Sequence, residues 1–231
     1  MCFSATASLA ASVLLITTSA LTINKTRERS AIPLAMIPGF FGIQQGLEGL
    51  VWISQPQSVP YYIGMYGFLF CAYSLWPVYI PWTIALHERD PYHAGPRIAT
   101  ALVGTFVSGY FFLELLHGGI HATLSPYGIC YSFWPPLWYG IGLYYIGVVV
   151  LAGLLSQERF LTIFSSGLAL SFIIARLLSE KGYPSVWCFF AALLSFVIIY
   201  GLRQKNALHI PSQKKQKKPD TTQTQPTITR Y

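Results

Sequence analysis

Ser185-Val186-Trp187-Cys188-Phe189-Phe190-Ala191-Ala192-Leu193-Leu194-Ser195-Phe196-Val197-Ile198-Ile199-Tyr200-Gly201-Leu202 runs without a charge until Arg203 closes it. An apolar run of this length reads as a transmembrane helix. Each helical residue rises about 1.5 Å, so some 20 residues cross a hydrocarbon core about 30 Å thick. From Arg203 onward the chain holds seven Lys or Arg against one acid, Asp220. A basic segment directly after a span reads as a cytoplasmic anchor that also attracts anionic lipid.

Working outward, the same rule places spans near 4–23, 31–54, 61–86, 98–116, 136–156 and 160–178 ahead of 185–202. The chain is 53% hydrophobic and 10% charged, where a soluble domain carries about a quarter charged residues. The expected fold is therefore all-α, a polytopic bundle of seven transmembrane helices over 1–205. A disordered basic tail is expected over 206–231, where apolar content is too low to pack. The weakest division is Ser156-Gln157-Glu158-Arg159, but 43 residues without a break there would be too long for one crossing.

Charge fixes the expected orientation. Lys25, Arg27 and Arg29 lie in the first loop, Arg89 and Arg97 in the third, Arg159 in the fifth, and the rest in the tail. Only Arg176 and Lys181 oppose them. This bias predicts an outside N-terminus and a cytoplasmic C-terminus. The formal net charge of +7 sits mostly in the tail, which argues against a nucleic-acid partner and for membrane lipid. The first span lacks a basic segment before it, so it reads as retained rather than cleaved. Asn24-Lys25-Thr26 matches a glycosylation pattern but falls on the cytoplasmic side.

Ionisable and polar groups inside spans need a partner or a purpose. Gln44, Glu48 and Trp52 recur every four residues in the second span and share a helix face, with Gln45 beside them. Glu114 closes the fourth span, with His117 and His121 beyond it on the same side if the helix continues through Gly118-Gly119. Arg176 lies near the outer end of the sixth span. Cys2 precedes the first span, and Cys188 lies one turn inside the seventh. The predicted topology carries all of these to the outer half of the bundle. Bland readings stand beside each: a hydrogen-bonding residue between helices for Glu48, a solvated acid for Glu114, and unligated imidazoles for His117 and His121, which lack the acid of an H-E-x-x-H pair. Cys2 and Cys188 read as a disulfide, a soft-metal pair or two inert thiols, with Cys130 open to either partner. Cys71 reads as packing. Pro33, Pro38, Pro77 and Pro81 predict kinks. His87, Glu88, Arg89, Asp90 and His93 read as a solvated inner loop.

The opening Met1-Cys2-Phe3-Ser4-Ala5-Thr6-Ala7-Ser8, then Phe41-Gly42-Ile43-Gln44-Gln45 with Glu48-Gly49 and Trp52, Trp76-Pro77-Val78-Tyr79-Ile80-Pro81, and Ser185-Val186-Trp187-Cys188-Phe189-Phe190-Ala191-Ala192 together resemble a family of small bacterial multi-span proteins of unknown function, the DUF6629 type. The resemblance covers spans one, two, three and seven, with the motifs in order. The fourth loop departs from it: Tyr127-Gly128-Ile129-Cys130-Tyr131 stands where a His-His pair is common. The resemblance implies a bacterial inner-membrane protein with Cys2, Glu48 and Cys188 inside its motifs, and it implies no activity.

Three functions compete. The first is a non-enzymatic membrane protein, a small-ligand or metal-binding sensor or an accessory subunit, using the outer polar cluster. The second is a membrane-embedded metal hydrolase, which would need His or carboxylate ligands and an activated water. Ceramidase-like hydrolases also use an aspartate within the spans, and here the aspartates are Asp90 and Asp220. The third is a small-solute or proton-coupled transporter, with Glu48 as the proton carrier. A retinal protein is excluded, because the seventh span has no lysine for a Schiff base.

Overall fold

The computed structural model describes residues 4–208 other than 89, 126–127, 134, 136–137 and 180–181. Cys2, Trp134, Lys181 and the basic tail from 209 lie outside the described residues. The described chain forms α1 (Ala5–Lys25), α2 (Ile32–Ile53), α3 (Val59–Leu69), α4 (Trp76–His87), α5 (Ala94–Leu116), a hairpin of β1 (Ala122–Ser125) and β2 (Gly128–Tyr131), α6 (Trp138–Leu154), α7 (Arg159–Leu178), α8 (Tyr183–Leu194) and α9 (Phe196–Leu208). A π-helical turn, Phe70–Leu75, joins α3 to α4 in one rod, and α8 and α9 meet at Ser195. Seven helical rods result, close to the expected boundaries, and the expected break at 156–159 is present.

Five rods are long and apolar enough to cross a membrane: α1, α3–α4, α5, α7 and α8–α9. Helix α6 is apolar but shorter. Helix α2 is long enough at 22 residues, but it carries Gln44, Gln45 and Glu48. Neighbouring rods alternate in direction. One end of the bundle gathers the hairpin with the first turns of α3 and α8, and the other gathers the α1–α2, α4–α5 and α6–α7 connections with the end of α9.

Helix α2 sits at the centre because its two faces differ. Gly39, Gly42, Gly46 and Gly49 meet Ser19, Ile16, Ser12 and Leu9 of α1, where any Cβ would approach side-chain atoms within 2.9 Å. On α1 the matching face is small and polar, with Ser8, Ser12, Ser19 and Thr22 buried around Leu15. Small residues let two backbones approach where burial of apolar side chains offers no gain over lipid. Ser19 donates to the Ala35 carbonyl at 2.7 Å across this seam. The opposite face of α2 presents Phe41, Gln44 and Glu48 to α4 and α8, and Phe41 stacks on Trp76 at 3.8 Å between centroids.

Of the prolines expected to kink helices, Pro33 and Pro77 sit in the first turns of α2 and α4, and Pro38 and Pro81 lie inside them. The π-turn leaves carbonyls outside the regular ladder. The Ala72 carbonyl accepts from Tyr145 at 2.5 Å, and the Ser74 carbonyl from Ser108 at 2.5 Å. Pro81 has no N–H to give Pro77, and Gly104 of α5 packs directly on that carbonyl, where a Cβ would lie 1.9 Å from the oxygen. The fold is all-helical as expected, with one short hairpin after α5. Gly118 and Gly119, both at φ 72°, stop α5, and Ala122–Ser125 then pairs antiparallel with Gly128–Tyr131. The Tyr61 hydroxyl fixes β1 by accepting from the Ala122 amide at 2.8 Å and donating to its carbonyl at 2.9 Å. On β2, Ile129 is fully buried and Tyr131 stacks on Phe68 at 4.9 Å.

Candidate functional site

Gln44, Gln45 and Glu48 are fully buried, each at 0% exposure, and they lie together. Gln45 Nε2 donates to Glu48 Oε2 at 3.5 Å, and Ser185 at the start of α8 donates its hydroxyl to Glu48 Oε1. Trp76 Nε1 donates to Gln44 Oε1 at 2.7 Å. The Cys188 thiol, one turn beyond Ser185, lies near the Gln44 side chain and within electrostatic range of Glu48. An unaccompanied carboxylate in such surroundings would cost several kcal/mol, about what charged residues cost at a bilayer centre. Hydrogen bonds from Ser185 and Gln45 hold it here. The Gln44 amide nitrogen and the Trp52 indole nitrogen are buried with no hydrogen-bond partner among the described residues. Trp52 is partly buried, one helical turn from Glu48 toward the hairpin end.

Beside this cluster is a cavity of about 190 Å³ between α6, α7 and α8, backed by Ala72 and Tyr73 of the π-turn. Aromatic groups build its walls. Phe172 and Trp187 meet edge-on at 5.2 Å, Tyr145 and Trp187 at 5.7 Å, and Phe172 and Tyr183 at 5.9 Å. Arg176 supplies the one guanidinium in the lining and lies 4.7 Å over the Tyr183 ring. The Tyr73 and Tyr183 side chains hydrogen-bond one another. Cys188, Tyr145 and Trp187 also line a narrower space of about 10 Å³ that reaches Phe41 and Trp76, room for about one water. Cys188 therefore stands between the cavity and the Gln44–Glu48–Ser185 group.

The other expected site residues lie elsewhere. Glu114 and His117 pair at 3.6 Å on the end of α5, with His117 74% exposed. Helix α5 packs on α4 and α6, and it ends at Leu116, so the continuous Glu114–His117–His121 face does not form. His121 is exposed ahead of the hairpin, its amide bonded to Ser132 Oγ at 2.7 Å. No group of three His, Cys, Asp or Glu able to hold a metal ion occurs among the described residues. Cys71, Cys130 and Cys188 are free thiols, and Cys2 lies outside the described residues.

A second polar group was hidden by its place in a loop. Far from being solvated, Glu88 and Arg97 are 6% and 2% exposed and pair at 3.1 Å. Glu88 also accepts from the Ser156 hydroxyl and from the Gln157 amide at 3.1 Å, and Arg97 donates to the Asp90 carbonyl at 2.6 Å. Asp90 holds His93 at 2.6 Å, and Lys205 of α9 pairs with Glu158. These contacts tie the α4–α5 and α6–α7 connections and α9 together at the tail end. His87 is buried at 6% exposure beside them. The His93 hydrogen bond, with two backbone amides, holds the Asp90 carboxyl below its ordinary 3.8. Two signals in the sequence point to these groups: Arg97 falls within the first turn of a helix, and Ser185 opens the Ser-Val-Trp-Cys run.

The described residues form a helical bundle with a buried carboxylate in α2 and an aromatic cavity beside it, and five of its rods are long and apolar enough to cross a membrane, consistent with a membrane protein. The family model described as a family of unknown function (DUF6629) matches residues 1–213, and the chain belongs to that family. No curated protein matches the chain. No solved structure matches it.

Proposed function

We propose that the protein is a seven-span bacterial inner-membrane protein that binds a small ligand in the α6–α7–α8 cavity, as a sensor or accessory subunit. The observation that carries this reading is the place of Cys188, which lines the cavity and also the narrow space shared with Phe41 and Trp76, the latter bonded to Gln44. A bound molecule there would alter the packing of the one buried carboxylate in α2. The lining suits a mainly apolar molecule with one anionic or acceptor group, which would face Arg176 and the tyrosine hydroxyls.

The seven-span count adds α2 and α6 to the five apolar rods, since both run between the same two ends of the bundle. The described cations support an outside hairpin end: Lys25, Arg27, Arg29, Arg97, Arg159, Arg203 and Lys205 lie at the tail end, against Arg176 at the other. The basic tail then lies in the cytoplasm beside anionic lipid.

Mass spectrometry of organic extracts from the purified protein tests the ligand. A co-purifying molecule is expected with the wild type and with Glu114→Gln. It should be lost in Leu143→Trp, which fills the cavity from a largely exposed position, and reduced in Arg176→Gln. Identical extracts from all four proteins would sink the reading.

A further inference from the structure

Helices α1 and α2 form a second feature on the flank away from the cavity. Ile16, Ala20 and Ile23 of α1 and Met36, Gly39 and Ile43 of α2 line a groove of about 200 Å³. Its walls are open to the surroundings, with Ile16 43%, Met36 36% and Ile43 48% exposed. On each helix the lining covers eight residues, seven helical rises, so the groove runs about 10 Å along the bundle. That fits within one leaflet, whose hydrocarbon is about 15 Å deep.

The mouth of the groove is basic. Ile23 lies two residues before Lys25, the last residue of α1, and Met36 lies about one turn into α2. Between them the connection carries Arg27 and Arg29, both exposed, and its one acid is Glu28. An apolar trough ending at a basic loop is complementary to an amphiphile with an anionic head. It is not complementary to a second copy of the chain. A two-fold contact would bring two identical basic loops to the same end, where like charges repel.

We propose that this groove holds an acyl chain of one anionic phospholipid, with its phosphate bound by Arg27 and Arg29 and Lys25 adding charge at the mouth. The proposal rests on the reading that α1 and α2 span the membrane with their connection in the cytoplasm.

Native mass spectrometry of the full chain in a neutral detergent tests it, with dioleoyl phosphatidylglycerol and dioleoyl phosphatidylcholine added in equal amounts. The phosphatidylglycerol adduct is expected to dominate by about tenfold, and each arginine removed by Arg27→Gln or Arg29→Gln should weaken it about fivefold. Ala20→Trp fills the groove from an exposed position without changing charge, and it should lower the same adduct. Changing Lys214, Lys215, Lys217 and Lys218 to Gln should leave that adduct in place. Equal adducts of the two lipids, an adduct unmoved by Ala20→Trp, or loss with the tail variant alone would overturn the proposal. So would a dimer peak that Ala20→Trp abolishes, which would assign the groove to a second copy. Resistance of the protein to alkaline extraction from membranes, measured on the same material, reports the spanning reading separately.

Discussion

At the scale of single residues, Glu48 is the acid that α2 buries at the centre of the bundle. Its carboxylate takes hydrogen bonds from Ser185 and Gln45 at 0% exposure. Glu48→Ala leaves both donors facing an apolar interior, and stability should fall by about 1–3 kcal/mol. Glu48→Gln keeps an acceptor and should cost less. Thermal unfolding in detergent separates the two, and equal losses would mean that the acceptor contributes nothing. The polar face of Gln44, Glu48 and Trp52 is legible in the sequence, because its four-residue period is a property of the helix itself. Its partners are not. Trp76 and Ser185 lie 32 residues from Gln44 and 137 from Glu48, and only the packing of α4 and α8 on α2 brings them there.

Among the elements, glycine contacts make a paired test possible on one helix. Gly104 and Gly109 both lie in α5. A Cβ at Gly104 would meet the Pro77 carbonyl oxygen at 1.9 Å, whereas one at Gly109 would meet nothing within 4 Å. Gly104→Ala should therefore destabilise by about 1–3 kcal/mol, as overpacking does. Gly109→Ala should stabilise by up to about 1 kcal/mol, because alanine loses less backbone freedom in a helix. Unfolding midpoints of the two variants check this, and the same sign for both would contradict the packing. The prolines are legible in the sequence, and Pro38 and Pro81 fall inside α2 and α4. The π-turn, by contrast, exists because Tyr145 and Ser108 take up the carbonyls it frees, and no local pattern encodes that. The hairpin escaped for a related reason: its strands are four residues each, and Tyr61 and Phe68 of α3 hold it in place.

Across the whole molecule, the tail-end contacts join connections that are far apart in the chain. Removing one member of a buried ion pair costs about 3–5 kcal/mol. Arg97→Ala should approach that range, since it leaves Glu88 at 6% exposure without its cation. Denaturation in detergent measures the loss, and a change under about 1 kcal/mol would reduce the pair to a surface contact. Asp90 adds a pH dependence. Its carboxyl is held below its ordinary value, so its contribution is complete above 3.8 and disappears as pH falls through the depressed value. Amide exchange in the α4–α5 connection should quicken below that point, and Asp90→Asn should remove the step. Orientation is tested separately. Cys130 should react with an impermeant thiol reagent added outside intact cells, and a cysteine placed at Thr221 should not. Labelling at Thr221 alone would invert the topology.

The helices, their approximate ends, the asymmetry of charge between the two ends of the bundle and the polar face of α2 can all be read from the residues alone. Each of these follows from properties a helix carries alone: its length, its period and its flanking charges. Tertiary structure alone decided which of the rare polar residues share a site. Gln44, Gln45, Glu48 and Cys188 come together and Arg176 lines the adjoining cavity, while Glu114, His117 and His121 stay on α5 and before the hairpin. The reason is rotational. Depth in the bundle is set by position along a helix, but meeting another side chain requires the helix to turn the right face inward. For α2 that turn is fixed by a glycine seam against α1, which directs the opposite face, with Glu48, toward the centre.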